Sequence, residues 1–288
     1  MTWVNTVIQG ILLGGLYALF AAGLSLVFGV MRVVNLAHGD LSVLAAFIAL
    51  LLVEHAGMSP LASLAIVIPA MFVVGWVLQA GIINFALHTE LAPLLATFGV
   101  AIVLQNVLQE AFSADSRGLD AGSLETSSIR IGDDIGIGWF PLLTFATSVV
   151  VLVALHLLLN RTQIGRALRA TSDDQRTASL VGINNRRVYS LATGISLATV
   201  AIAGVFLAIR TTFSPSIGPA RLIFGFEAVI IGGLGSLWGT LAGGIVLGVA
   251  QAVGAQIDAG WGVLTGHLVF LAVLALRPSG LFPRTATA

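Results

Sequence analysis

The chain of 288 residues contains neither cysteine nor lysine, so all thirteen of its positively charged side chains are arginine. Without cysteine there can be no disulfide, no thiolate metal site and no cysteine nucleophile. Without lysine there can be no Walker A lysine, no Schiff-base lysine and no lysine general base. Any ATP hydrolysis on which this protein depends is therefore expected in another polypeptide.

Charge of either sign is scarce. Charged residues make up 9% of the sequence and hydrophobic residues 57%, which is too apolar for a soluble domain of this length. The formal net charge of zero leaves no basic footprint for a nucleic-acid partner. The five histidines show no pair at metal-ligand spacing, so no metal site is predicted. This composition predicts an integral membrane protein that lies in the lipid bilayer.

Apolar runs long enough to cross a bilayer recur along the whole chain. They predict an all-α polytopic helical bundle, a single transmembrane domain over residues 1–288, with about eight to ten membrane segments. The count stays open because residues 31–42 and 232–239 could each form a turn or a re-entrant break. The predicted spans are residues 6–30, 41–53, 60–87, 91–109, 139–159, 188–209, a glycine-rich run from 225 to 257, and 261–276.

Two long polar stretches carry opposite charge. Residues 160–187, which we call the basic loop, contain six arginines against Asp173 and Asp174, so the positive-inside rule places them in the cytoplasm. Residues 111–138 contain five acidic residues, Asp133 and Asp134 among them, against two arginines, and are predicted to be extracytoplasmic. Arg277 and Arg284 place the C-terminus in the cytoplasm, whereas the side of the N-terminus stays open.

The basic loop has the pattern of two short helices rather than a flexible tether. In the first, residues 162–170, Arg166 and Arg169 share one face and Leu168 lies on the other. In the second, Ser172 and Gln175 form a capping box, and Gly182 supplies the stop. A folded loop suggests that a partner docks there; the alternative is a solvated basic loop that only fixes topology.

A few polar residues interrupt the apolar runs. Asn35, His38 and Asp40 fall in the first break and Glu227 in the second, glycine-rich one. An ionisable group at membrane depth costs roughly 2.5 kcal/mol or more, which makes these residues candidates for the transport path. Structural alternatives remain: His38 could cap a helix end, Asp40 could be the N-cap of a helix starting at residue 41, and Glu227 could pair with Arg221.

Five further residues have similar alternatives. The glycines at the second break could let backbone approach a substrate or, more simply, a neighbouring helix; they are Gly232, Gly233 and Gly235. His267 and Gln251, isolated on apolar spans, are predicted to form interhelical hydrogen bonds rather than ligand contacts.

Three blocks of sequence resemble one transporter family. The first is residues 14–47 with NLAHGDLSVLAAF, the second is GRALRATSDDQRTASLVGIN with the following ISLATVAIAGVFLA, and the third is GFEAVIIGGLGSLWGTLAGGIVLG. In this order they are similar to the LivH-type permeases of branched-chain amino-acid ABC importers. Relatives that import urea, short amides or other amino acids share these blocks, so the cargo stays open.

The resemblance implies a non-catalytic, multi-pass subunit of a prokaryotic inner (plasma) membrane. Its expected partners are a sister LivM-like permease, two cytosolic ATPases, and an extracytoplasmic substrate-binding protein that delivers a small-molecule substrate. ATP and Mg would be bound by the ATPases, so no cofactor is expected in this chain.

The resemblance also implies that the segment from Gly165 to Gly182 docks onto the ATPases. Within it, the expected exposed polar contacts are Arg166, Arg169, Asp173 and Asp174, and the expected packed face is Ala167, Leu168, Ala178 and Leu180. The acidic SDDQ sequence at residues 172–175 departs from the less acidic segment usual in relatives, which leaves the partner surface open.

One other function fits the broken helices. A stand-alone secondary transporter or channel could use Asp40, His38 and Glu227 as a proton or cation relay. A third class, a membrane-embedded enzyme, would need a nucleophile with a base or a metal cluster, and neither pattern is present.

Overall fold

The computed structural model describes residues 3–89, 91–131 and 135–282. Asp133, Asp134 and Arg284, which support the predicted orientation, lie outside the described residues. The helices, numbered along the chain, are α1 (Trp3–Met31), α2 (His38–Ala56), α3 (Pro60–Leu78), α4 (Asn84–Ala86), α5 (Ala92–Phe112), α6 (Ser123–Thr126), α7 (Trp139–Arg161), α8 (Gln163–Asp173), α9 (Gln175–Leu180), α10 (Asn185–Arg210), α11 (Gly218–Gly232), α12 (Leu237–Ile257) and α13 (Trp261–Leu276).

Seven helical stretches in the described part of the chain are long and apolar enough to cross a membrane; they are α1, α2, the run Pro60–Ala86, α5, α7, α10 and α12. The apolar helix α13 is shorter, at 16 residues, and counting it gives eight segments, the lower end of the predicted range. The predicted all-α polytopic class is confirmed.

The second span shows how a short apolar run becomes a full helix. Residues 41–53 alone are too short to cross a bilayer at about 1.5 Å per residue. The helix gains residues at both ends, so that α2 has 19 residues and ends where Gly57 adopts the left-handed conformation, with φ of +64°.

The third span contains a π turn, Gln79–Ile83, between α3 and α4. The backbone N–H of Asn84 donates to the carbonyl of Gln79, which is the i to i−5 spacing of a π-helix. The side chain of Gln79 is fully buried, and its Oε1 accepts a hydrogen bond of 2.8 Å from the hydroxyl of Thr193 in α10. The third span is therefore not a regular α-helix along its whole length.

The predicted extracytoplasmic stretch also contains a small antiparallel hairpin, β1 (Ser128–Ile131) paired with β2 (Ile135–Gly138). Ser128 faces Gly138 in the register, and Ile129 faces Ile137. The hairpin was not predicted, because two strands of four residues carry too little alternation to be distinguished from a loop.

The residues pack into two compact units, each assembled from separated stretches of sequence. The terminal unit comprises residues 1–25, 120–152 and 223–288, and the central unit comprises residues 26–119 and 153–222. The expectation of a single transmembrane domain over residues 1–288 stays a prediction.

In the central unit, α10 is the most enclosed helix and packs along α3 and α2. Gly75 of α3 lies against the backbone of Thr193 and Gly194, so the two helices approach closely. Phe47 of α2 stacks on Phe112, with ring centroids 4.4 Å apart. The core of this unit therefore combines small-residue contacts with an aromatic cluster.

In the terminal unit, α12 packs against α13 and α1. A Cβ atom on Gly14 of α1 would overlap the backbone of Ile245 in α12, and one on Gly10 would overlap that of Val249. The first span therefore packs on α12 through a face of small residues.

Candidate functional site

The first polar break joins α1 to α2 in the central unit. Its three candidate residues are buried, with 3% of Asn35, 0% of His38 and 1% of Asp40 exposed. The side-chain oxygen of Asn35 accepts a hydrogen bond of 3.0 Å from the backbone N–H of Ala37, and its carbonyl accepts one of 3.3 Å from His38. Asn35 therefore closes the turn that starts α2, and the stretch is a break buried in protein rather than a solvated loop.

Asp40 does not cap α2. The helix already starts at His38, so Asp40 lies within its first turn, and the predicted N-cap role is wrong. One carboxylate oxygen of Asp40 accepts a hydrogen bond of 2.9 Å from Nε2 of Gln105 in α5. The other oxygen, Oδ2, has no hydrogen-bond partner among the described residues. A buried carboxylate with an open acceptor position can receive a donor from a passing ligand.

Glycines bring the surrounding backbone close to this carboxylate. A Cβ atom on Gly218, the first residue of α11, would overlap the carboxylate of Asp40, and one on Gly39 would overlap the carbonyl of Gly218. One side of the Asp40 carboxylate is thus covered by backbone rather than by side chains. In the same way, Gly204 of α10 lies directly against the carbonyl of Ser42.

Glu227 forms the second polar site, in the terminal unit. It is 3% exposed, and its Oε1 is in contact with Nδ1 of His267 in α13. This contact replaces the predicted pairing with Arg221, whose guanidinium donates to Thr211. The prediction that His267 forms an interhelical hydrogen bond is confirmed.

Two aromatic rings stack beside the Glu227–His267 pair. Phe224 stacks on the imidazole of His267 with ring centroids 5.9 Å apart, and Tyr17 stacks on Phe224 at 5.4 Å. The hydroxyl of Tyr17 donates a hydrogen bond of 2.6 Å to Oε1 of Gln251, which confirms an interhelical bond for that glutamine too. Oε2 of Glu227 has no partner among the described residues. Polar groups of four helices thus meet in an apolar unit.

The glycine-rich second break separates α11 from α12. Gly233 and Gly235 adopt left-handed conformations, with φ of +105° and +80°, which only glycine adopts without strain. Gly232 lies directly against the backbone of Gly239. The hydroxyl of Ser236 caps α12 by accepting a bond of 3.1 Å from Gly239. These contacts support the packing interpretation of the three glycines, and their place in the transport path stays a prediction.

The basic loop contains the two predicted helices, with altered bounds. Thr162 caps α8 by accepting a bond of 3.0 Å from Gly165, and α8 then runs three residues beyond the predicted end. Asp174 caps α9, accepting bonds from Arg176 and Thr177. The predicted capping box at Ser172 is therefore wrong, because that residue lies inside α8.

The end of α9 agrees with the prediction. Gly182 has a φ of +87°, and its N–H donates to the carbonyl of Ser179. The next residue, Ile183, donates to the carbonyl of Ala178 at 3.0 Å. These bonds satisfy the last carbonyls of the helix, as expected for a glycine stop.

The two faces of the basic loop agree with the prediction in part. Leu168 and Ala178 are buried, and Gly165 packs on the last carbonyls of α7, whereas Ala167 is half-buried. Leu180 was predicted on the packed face but is 82% exposed, and α9 ends at this residue. Exposed side chains expected to be polar contacts are Arg166, Asp173 and Asp174; Arg169 is half-buried, and its guanidinium donates to Asn160.

Ser172 connects the basic loop to the first span. Its hydroxyl donates a hydrogen bond of 2.7 Å to the carbonyl of Gly29, in the last turn of α1. On the other side, the amide of Asn185 donates 2.7 Å to the carbonyl of Gln175 and ties the loop to α10. A displacement of α8 and α9 would therefore act on both helices.

The cap of α9 gives a pH-dependent prediction. The hydroxyl of Thr177 and then two backbone N–H groups bind the carboxylate of Asp174 and hold its pKa below the ordinary value. A lowered pKa stabilises the fold above the ordinary carboxyl range, and the effect is lost as the pH falls through the pKa of the folded state. We expect Asp174→Ala to speed hydrogen exchange of the Arg176 and Thr177 amides several-fold at neutral pH, with the difference vanishing in acid. Asp173→Ala is the control, and equal exchange in both variants would contradict the cap.

Comparison with known proteins decides the family. The model of the permease component of branched-chain amino acid transport systems matches residues 6–276. The chain belongs to this family. Its members are permease subunits of ABC transporters, which are non-catalytic, multi-pass membrane components.

Two relatives are similar along nearly the whole length of this permease, and a third is similar over less than half of it. The permease protein BraD of a high-affinity branched-chain amino acid transport system in Pseudomonas aeruginosa is 29% identical, over 98% of this chain and 96% of that protein. LivH of Escherichia coli K12 is 27% identical over the same shares. LivM of Escherichia coli K12 is 32% identical over 43% of this chain and 30% of its own.

Sequence reasoning missed one residue of the candidate sites. Gln105 holds the carboxylate of Asp40 from a helix 65 residues away, and its only signal was an amide side chain on an apolar span. Among the described residues, no group of three histidine or acidic side chains is arranged to hold a metal ion.

Proposed function

We propose that this permease, together with a sister LivM-like permease, forms the membrane path by which an importer carries branched-chain or other neutral amino acids into the cell. The observation that carries the proposal is the family match over residues 6–276. The partial similarity to LivM supports a sister subunit of related sequence. An extracytoplasmic binding protein would deliver the substrate and set much of its selectivity, including any preference for urea or short amides.

Energy enters this proposed assembly from two cytosolic ATPases that dock on the basic loop. ATP and Mg belong to those subunits, in line with the absence of lysine from this chain. Arg166 and the end of α9 are exposed, and the buried side of the loop is held on α1 and α10. A change of nucleotide state in the ATPases would therefore move α1 and α10 through the loop.

The candidate path residues belong to two separate groups in this proposal. Asn35, His38 and Asp40 belong to the central unit, and Glu227 and the glycines at 232, 233 and 235 belong to the terminal unit. Asp40 and Glu227 each have a carboxylate oxygen with no partner among the described residues. Such oxygens suit the ammonium group of an amino acid in transit.

The test is co-purification from native membranes. We expect the wild-type chain to bring down ATPase subunits. Arg166→Glu with Arg169→Glu is expected to lose them together with uptake, because the exposed Arg166 and the half-buried Arg169 both change from positive to negative. The control is Arg186→Glu with Arg187→Glu, which makes the same change in charge but at the start of α10. This variant is expected to retain the ATPases. If the chain purifies alone and the double variant still transports, the loop only fixes topology and a stand-alone transporter using Asp40, His38 and Glu227 is favoured.

A further inference from the structure

The central unit contains a cavity of about 520 Å³ at the end of α1. Its volume lies in the range of about 300–1,000 Å³ that is typical of small-molecule sites. Part of its wall is apolar, from Met31, Val33, Leu87 and Pro93, and the rest is polar, from Arg32, His88, Thr89, Gln175 and Tyr189. Arg32 brings a positive charge, and no acidic side chain lies among the described residues that line this cavity. The cavity therefore favours an anionic group next to an apolar one.

A second cavity, of about 320 Å³, adjoins the first. The two share Met31, Arg32 and Gln175 in their walls, and the second adds Asp173 and Asp174. Arg176 also lines it, and lies next to Asp174 in the first turn of α9. The first cavity thus has a positive charge from Arg32, whereas the second has both positive and negative charges.

The charged groups on either side are available. The guanidinium of Arg32 makes no hydrogen bond or ion pair with any described residue, and neither does the carboxylate of Asp173. Asp174, by contrast, uses both of its oxygens to cap α9. Opposite charges that face adjoining cavities and do not pair with each other leave room for a ligand that carries both charges.

Two further observations indicate a ligand at this place. Tyr189 lines the first cavity, is only 4% exposed, and its hydroxyl has no hydrogen-bond partner among the described residues. Arg32 has a φ of +54°, a conformation that non-glycine residues rarely adopt and that often marks functional positions. A buried donor without a partner costs free energy unless a bound molecule satisfies it.

We infer that the two cavities form one binding site for a zwitterionic amino acid with an apolar side chain, its carboxylate on Arg32 and its ammonium group on Asp173. A guanidinium presents two parallel N–H donors that match a carboxylate. The apolar wall of the first cavity accepts the side chain of the ligand. This inference rests on the proposed function and deepens it, because it places the cargo against the α8–α9 junction, where it would hold the basic loop on α1.

The experiment measures equilibrium binding of radiolabelled leucine, isoleucine and valine to the purified full-length chain in lipid nanodiscs. We expect saturable binding to the wild type and at least roughly tenfold weaker binding to Arg32→Gly and to Asp173→Asn. Arg32→Gly removes the guanidinium but fits the left-handed backbone, so the variant is expected to fold. Arg277→Gln and Glu54→Gln change exposed charges that line neither cavity; they are the matched controls and should bind as the wild type does.

Two analogues test the zwitterion directly. Isoamylamine lacks the carboxylate and 4-methylpentanoate lacks the ammonium group, and each should compete with leucine at least roughly tenfold less well than unlabelled leucine does. Absence of binding to the wild type, or unchanged binding in both variants, would overturn the inference. If 4-methylpentanoate competes as well as unlabelled leucine and Asp173→Asn has no effect on binding, the zwitterion site is also overturned, and the cavities form a site for an anion.

The outcome can be separated from that of the proposed function. The binding measurement needs no partner, whereas the proposed function depends on ATPase co-purification. Co-purification without leucine binding would end this inference and leave the proposed ATPase-driven function standing. Leucine binding without co-purification would support the binding site and count against ATPase docking on the basic loop.

Discussion

Replacing Gly204 with valine is expected to prevent the central unit from folding stably. Gly204 lies where α10 crosses α2, and a Cβ atom there would overlap the carbonyl of Ser42. The neighbouring atom is backbone, so no side chain can rotate away and the two helices would have to separate. Overpacking typically costs about 1–3 kcal/mol, and we expect the upper end of that range here because the overlapped atoms are backbone. Since α10 also packs along α3, a shift of α10 would disturb that interface too.

The measurement is thermal unfolding of the purified protein in detergent, with the yield of monodisperse material as a second readout. Gly99→Val is the matched control, because a Cβ atom at Gly99, within α5, meets nothing within 4 Å. We expect the Gly99 variant to unfold close to the wild-type temperature and the Gly204 variant to aggregate. A Gly204→Val protein with wild-type yield and melting temperature would contradict the close contact.

The second large effect is expected at the Glu227–His267 pair. Glu227→Leu leaves the imidazole without its partner, and His267→Leu leaves a buried carboxylate unpaired. Each single variant is expected to lose about 2 kcal/mol of stability, a value between those for buried ion pairs and for hydrogen bonds between membrane helices. The double variant, in which both groups are apolar, should lose clearly less than the sum of the two.

The double variant also separates structure from transport. We expect it to be nearly as stable as the wild type, while amino-acid uptake by the assembled importer falls at least roughly tenfold, since Oε2 of Glu227 is no longer available to an ammonium group. Additive losses of stability would contradict a direct interaction. Full uptake by the double variant would mean that the pair has only a structural role, the connection of α11 with α13.

Local sequence was sufficient for the long helices but not for where each begins. Residues 261–276 were predicted and found as α13, because an apolar run between a glycine and a proline leaves few alternatives. The start of α2 was placed three residues late, since Asp40 had the sequence pattern of a cap. The turn closed by Asn35 lets the helix begin at His38 and places Asp40 inside it.

The candidate sites were predicted as residues but not as contacts. Asp40 was identified from its charge, whereas its partner Gln105 comes from a separate helix, and no local pattern links positions 65 apart. The same holds for Glu227 and His267, which are 40 positions apart. The prediction for Leu180 was wrong for a different reason. Helical periodicity assigns a residue to a face, but it does not show where a six-residue helix ends.

The π turn at Gln79–Ile83 is a place where relatives can differ in length by one residue. A π turn holds one residue more than the α-helical turn it replaces, and the helix on either side keeps its phase around that extra residue. Gly81 lies within the turn, and a Cβ atom there would meet nothing within 4 Å. A relative whose third span is one residue shorter can therefore keep the packing of both α3 and α4 by closing this turn into regular helix. When members of the family are aligned, a single-residue gap in this span therefore belongs inside residues 79–83. A gap placed in a flanking loop instead would pair residues of the two spans that differ by one position, which is a rotation of about 100° around the helix axis.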